Sequence, residues 1–196
     1  LLALQGPQAV QALSRLAPGV AQLVFMTGGA FTLNGAACFV TRRGYTGWLS
    51  LVSHEYFHAW NVKRFRPVEL GPFKYEEENY TTGLWISEGF TDYYGDLMVR
   101  RANLTTRDEY LDELGNLIRD LQTTPGRQVQ SATTSSFDTW IKQYRPDENS
   151  PNTAISYYTK GAVIGFVLDA HIRSLTNGAK SLDDVMRLGF QRFSGP

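Results

Sequence analysis

The stretch His54-Glu55-Tyr56-Phe57-His58 carries two imidazoles four residues apart, with a carboxylate beside the first. On a helix, residues four apart stand one turn above each other on the same side, so both rings can grip one metal ion. Glu55 then lies on the flank, where it can reach a metal-activated water without being a ligand, the position of a general base. HExxH on a helix is the pattern of a zinc hydrolase. Chance is a weak rival, because a shuffled chain with three His and nine Glu in 196 residues rarely contains the pattern. The plainer alternative is a helix with two hydrogen-bonded histidines and a surface glutamate.

The elements that must position these groups are legible around them. From Trp48 to Arg66 there is no Gly or Pro, and Trp48, Leu49, Leu51, Val52, Tyr56, Phe57, Ala59, Trp60 and Val62 make the run mostly apolar. Pro67 supplies a stop, so the pattern predicts a helix over 48–66 buried on most sides. Two His and a Glu on a buried helix need partners, because unpaired polar groups in an apolar setting are costly, and a metal is one such partner. A third protein ligand would leave the fourth position for water. Its source is Leu84-Trp85-Ile86-Ser87-Glu88-Gly89-Phe90-Thr91-Asp92-Tyr93-Tyr94, the start of a second aromatic helical stretch running to about Arg101. Glu88 is assigned as third ligand. Asp92, one turn later on the same face, is assigned to accept the free N–H of a ligand histidine, His54, and so fix its tautomer.

With these residues in place the chain from about Trp48 to Gly195 resembles the catalytic region of the glycyl aminopeptidase family, metallopeptidases of the thermolysin-like, glutamate-zincin kind. Four stretches in order carry the resemblance: LVSHEYFHAWNVKRFRP, GPFKYEEENYTTGLW, SEGFTDYYGDLMVRRANL and SYYTKGAVIGFVLDAHIR. The interval from His58 to Glu88 also resembles that family's own spacing. The resemblance implies a mainly α fold, the helical lobe of a thermolysin-like zincin catalytic domain, preceded by a small α+β N-terminal segment. It implies Zn2+ as cofactor, a peptide substrate, and an aminopeptidase acting on small N-terminal residues such as Gly. It also implies a phenol donor to the oxyanion. In related aminopeptidases a tyrosine just before an xKG sequence plays this part, which points to Tyr158, with Tyr157 as the one-residue alternative and core packing as the bland reading of both. The remaining histidine, His171, reads as a surface residue.

Residues 1–47 read differently. They hold three Arg, no Asp or Glu, and 7 of the 18 Gly, whereas residues 48–196 carry 16 basic and 19 acidic residues, a net of −3. Such a shift suggests a seam between two regions, 1–47 and 48–196. LLALQGPQAVQALSRLAP followed by LVFMTGGAFTLNGAACFVTRRGYTG resembles a fragment of the aminomethyltransferase (glycine cleavage T protein) family. A helix is expected near Pro7–Leu16, with strands near Ala30–Leu33 and Ala37–Arg42. The acidic continuation that helps to bind folate in that family is replaced by the Trp48 helix, so the resemblance implies a fused or inherited fragment and not aminomethyl transfer. A 47-residue piece is too small to bury a core of its own. The β-rich region and the free-amine-binding segment that glycyl aminopeptidases carry before the active-site helix are not found ahead of His54. The metal constellation is therefore expected whole, and the substrate wall incomplete.

The rest is supporting structure. Thr105 or Thr106 caps a helix to about Leu121, with Asp108 and Glu109 in its first turn. Gln122–Ser136 reads as a loop, Phe137–Tyr144 as a short helix, and 145–153 as a second loop. Tyr157–Leu175 is the last long core helix, and Ser181 caps Leu182–Phe193. Zero net charge gives no basic footprint for nucleic acid, and no apolar run reaches the ~20 residues of a membrane span. A soluble protein of cytoplasm or periplasm is expected, its oligomeric state open, and the lone Cys38 allows no internal disulfide. Three readings stand: a zinc aminopeptidase, a catalytically silent zinc-binding relative, and a folate or one-carbon module resting on residues 1–47.

Overall fold

The computed structural model describes residues 9–23, 28–33, 35–41 and 45–194. Contacts divide the chain into two compact units, Leu1–Leu51 and Val52–Pro196. The first contains helix α1 (Ala9–Ser14) and an antiparallel hairpin of β1 (Gly28–Leu33) and β2 (Ala36–Thr41), paired from Gly28 opposite Thr41 to Leu33 opposite Ala36. Exposure alternates along β1, as period-two side chains require. The expected helix near Pro7–Leu16 is thus the shorter α1, and Pro7 and Arg42 lie outside the described residues. The last element begun here, α2 (Tyr45–Phe57), runs on into the second unit.

The second unit is helical. After α2 come a π-helix (Trp85–Phe90), α3 (Thr91–Arg101), α4 (Arg107–Thr123), α5 (Ala132–Phe137), α6 (Ser150–Thr153), α7 (Tyr157–Leu175) and α8 (Leu182–Phe193). The fold is mainly helical with a small N-terminal sheet. Caps fall where the sequence puts them. Thr106 and Glu109 form a reciprocal capping box on α4, and Ser181 with Asp184 forms another on α8. Two loop expectations are corrected. Within 122–136, Ser131 accepts from the Thr134 N–H and starts α5, which ends at Phe137, where the short helix had been expected to begin. Within 145–153, Ser150 and Asp147 bond each other and open α6.

The helix expected over 48–66 stops at Phe57 and is not buried on most sides. Val52, Tyr56 and Trp60 are 44%, 70% and 45% exposed. The His58 N–H still bonds the His54 carbonyl at 3.2 Å, but the chain then tightens, with Ala59 N–H on the Tyr56 carbonyl and Trp60 N–H on the Phe57 carbonyl, before it widens into bonds from Lys63 N–H to the His58 carbonyl and from Phe65 N–H to the Trp60 carbonyl. Val62 sits at φ 114°, a region that costs a β-branched residue on the order of 1–3 kcal/mol. Such a conformation persists only where neighbours hold it. Asn61, just before it, is 2% exposed and supplies that hold through its side chain.

The core forms where α3, α7 and α8 meet, around Phe90, Tyr93, Tyr94, Ala162 and Leu182. Its polar rims are bonded across elements. The Tyr93 hydroxyl donates to Asp169 at 2.7 Å, and the other oxygen of Asp169 accepts the Leu182 N–H at the start of α8. The Tyr94 hydroxyl donates to Asp183. The Phe57 ring stacks on Tyr94 at 4.6 Å between centroids, which ties the end of α2 to α3. The π-helix lies directly on α7: a Cβ on Gly89 would strike the backbone of Gly161, and one on Gly161 would strike the Trp85 carbonyl oxygen. Only two glycines allow that approach. Gly161→Ala is therefore expected to destabilise the protein by about 1–3 kcal/mol by overpacking backbone against backbone; urea unfolding measures it, and an unchanged midpoint would contradict this packing. No helix among the described residues is long and apolar enough to cross a membrane.

Candidate metal centre

His54 and His58 leave the same side of the α2 end and meet the π-helix. Their Nε2 atoms are 3.0 Å apart. Oε2 of Glu88 lies 3.3 Å from the first and 3.2 Å from the second. Among the described residues this is the one group of three or more His, Cys, Asp or Glu whose ligand atoms converge. Tetrahedral zinc with bonds of ~2.0–2.1 Å separates its ligand atoms by ~3.3 Å, so the triangle has the size such an ion needs.

The outer nitrogens decide what the inner ones are. His54 Nδ1 lies 2.8 Å from a carboxylate oxygen of Asp92, and His58 Nδ1 lies 2.9 Å from the Asn61 carbonyl. Both partners are acceptors only, so each Nδ1 carries the hydrogen. In the neutral rings both Nε2 atoms then present lone pairs. Two lone pairs and a carboxylate oxygen thus face one another within 3.3 Å, and only a proton or a metal cation relieves them. The donor set fits zinc, and these three side chains can hold it.

Without a metal, protons do the work. Burial disfavours charge on His54, but the Asp92 and Glu88 carboxylates outweigh it and raise its pKa to about 9. His58 is raised too, because Glu88 and the Asn61 carbonyl outweigh its burial. Burial would raise Glu88, but hydrogen bonds from both imidazoles and their charge hold it down at about 2.

The remaining expected residues are placed as follows. Glu55 is exposed on α2, one residue beyond His54. The Tyr158 ring lies nearly parallel to that of His54, with 6.2 Å between centroids. Its neighbour Tyr157 is 1% exposed, its ring stacked on that of Tyr158 at 4.6 Å between centroids, with Thr139 donating to its hydroxyl oxygen. Of the two phenols, Tyr158 is the one beside the ligand cluster. Burial first, and then the charge of Glu88, keep the Tyr158 phenol protonated far above neutral pH. Ser156 caps α7 beneath it, and Lys160 Nζ donates to the Arg127 and Gln130 carbonyls. His171 is exposed, in keeping with a surface role.

One expectation changes in form: Glu88 lies in a π turn, so Glu88 and Asp92 are not simply one α-helical turn apart. Wide turns of this kind are rare and concentrate at functional sites. Asn61 was not singled out by the sequence. Its signal was there, as a polar side chain three residues after His58 inside an apolar run.

Residues 47–164 match the M61 glycyl aminopeptidase family, which is more than half of the chain. The chain belongs to that family. A solved structure of an aminopeptidase N family protein from Idiomarina loihiensis is similar over 88% of this chain, at 32% identity and a TM-score of 0.75. This chain spans 32% of that protein's length. Residues 48–196 are 149 of the 196, a smaller share than the one matched, so the likeness reaches into the first 47 residues. The resemblance of that segment to aminomethyltransferases finds no support in either comparison. No curated protein matches.

The proton-held cluster makes a stability prediction for metal-free protein. His54, raised from 6.5 to about 9, stabilises the fold fully below pH 6.5 and loses that contribution as pH rises through about 9. Glu88, lowered from 4.5 to about 2, contributes above pH 4.5 and loses it as pH falls toward 2. Chelator-treated protein is therefore expected to melt at a lower temperature at about pH 9 than at about pH 6. A Tm that is flat or rising over that interval would contradict the geometry.

Proposed function

We propose that this chain carries the metal centre of a zinc-dependent aminopeptidase that removes small N-terminal residues such as Gly from peptides. The observation that carries the reading is the triangle of His54 Nε2, His58 Nε2 and Glu88 Oε2, with both outer nitrogens bonded to acceptors. Family membership and the aminopeptidase neighbour support the peptidase class. His54, His58 and Glu88 are the metal ligands in this reading, and Asp92 orients His54.

When bound, zinc would supply Lewis acidity, lowering the pKa of a water and polarising the scissile carbonyl. Glu55, adjacent to a ligand but exposed, takes the proton of the attacking water and returns it to the leaving amine. Tyr158, still protonated at neutral pH, donates its hydroxyl hydrogen to the oxygen that gains charge as the carbonyl is attacked. Asp92 keeps the His54 hydrogen on Nδ1 throughout. The site thus divides labour between a mobile proton carrier on the open side and a fixed phenol donor on the α7 side.

Two variants test this. Glu55→Gln should retain one zinc per chain, by metal analysis, while cleavage of glycyl peptides falls by on the order of 10²–10⁴-fold. Undiminished cleavage by the zinc-loaded variant removes Glu55 as the base. Asp92→Asn should keep the fold but weaken zinc binding by roughly 10–100-fold, measured by competition with a chromophoric chelator. An unchanged dissociation constant would remove Asp92 from the site.

A further inference from the structure

We propose that Asn61 is a positioning residue that sets two of the three metal ligands at once, His58 through its backbone and Glu88 through its side chain. The inference rests on the metal-site reading above and goes beyond it, since Asn61 is not one of the three side chains that converge. Its carbonyl oxygen accepts the His58 Nδ1 hydrogen at 2.9 Å, which fixes that ring's rotation and leaves Nε2 as the ligating atom. Its side-chain Nδ2 donates to the carbonyls of Ile86 and Ser87 at 3.0 and 3.1 Å and to Thr91 Oγ at 3.0 Å. Those three acceptors bracket Glu88 on both sides. Thr91 Oγ in turn donates to the Ser87 carbonyl at 2.7 Å, closing the set.

The partners of Nδ2 are two carbonyls and a hydroxyl already used as a donor, so the position requires a group that donates. An aspartate of the same shape would set lone pairs against all three. Asn61 and Thr91 are 2% and 0% exposed, so losing either leaves buried polar groups short of a partner. The bonds also land on the π-helix. A wide turn is an intrinsically weak register, and an amide clamped on two successive carbonyls holds it where Glu88 faces the histidines. The strained Val62 that follows is what a chain shows when the residue before it is fixed by outside contacts.

Zinc affinity of the folded protein reads the role directly. Asn61→Ala is expected to bind zinc roughly 10–100-fold more weakly than wild type, and to shift the d–d spectrum of the cobalt-loaded protein. Thr91→Val, which removes one of the three acceptors, should weaken zinc by on the order of fivefold. Ser181→Ala, which removes the α8 cap and none of these contacts, is the control for stability alone. It should lower Tm and leave both zinc affinity and the cobalt spectrum at wild-type values. A folded Asn61→Ala with wild-type zinc affinity and cobalt spectrum overturns the proposal. Should Asn61→Ala not fold, Thr91→Val with wild-type affinity overturns it instead. Wild-type protein that takes up no zinc would refute the metal reading itself, and the role of Asn61 with it.

Discussion

Three acceptor atoms held within 3.3 Å of one another are the constraint on which the rest of the second unit turns. Lone pairs so placed repel, and burial removes the water that would screen them. The fold tolerates this only because other contacts over-determine it. Phe57 stacked on Tyr94 fixes the end of α2, Gly89 against Gly161 fixes the π-helix, and Asp92 and the Asn61 carbonyl fix the two rings. A cation turns the repulsion into attraction. In its absence the same geometry captures protons, which is why His54 is pushed up to about 9 while Glu88 is held at about 2. One arrangement therefore accounts for both the expected metal affinity and the shifted titrations.

Under the proposed function, the same contacts explain how the two groups assigned to the reaction come to differ. Glu55 is one residue from His54 but lies on the exposed side of α2, where the proton carrier of the proposed reaction would have room to move. Tyr158 stands on α7, pinned by the Ser156 cap and by Lys160 on the 127–130 carbonyls. Burial and the charge of Glu88 keep its hydroxyl a donor. In the proposed reading the phenol that stabilises is held in place and the proton carrier stands open to solvent, as those tasks require.

What the sequence made legible was spacing: the two histidines, the glutamate thirty residues on, and the caps at Thr106 and Ser181. These are local signals, set by side chains acting on their own backbone. What it hid was decided between segments. Nothing local ends α2 at Phe57; the chain leaves the helix where the Asn61 amide is captured by carbonyls 25 and 26 residues away. Nothing local widens the turn at Trp85–Phe90, which follows the close approach of two glycines on different helices. The exposed Val52, Tyr56 and Trp60 show the limit of periodicity, since a mostly apolar run says how much could be buried and not what lies against it. The composition shift near residue 47 suggested a seam, and the resemblance of the residues before it suggested a borrowed fragment. The structural likeness to an aminopeptidase N family protein instead extends into that segment.

X-ray absorption on zinc-loaded protein tests the central claim most directly. Two imidazole ligands and oxygen ligands, all at ~2.0–2.1 Å, with the imidazole scattering reduced in His58→Ala, is the predicted result. A zinc shell containing sulfur, or one unchanged when His58 is removed, would contradict the account.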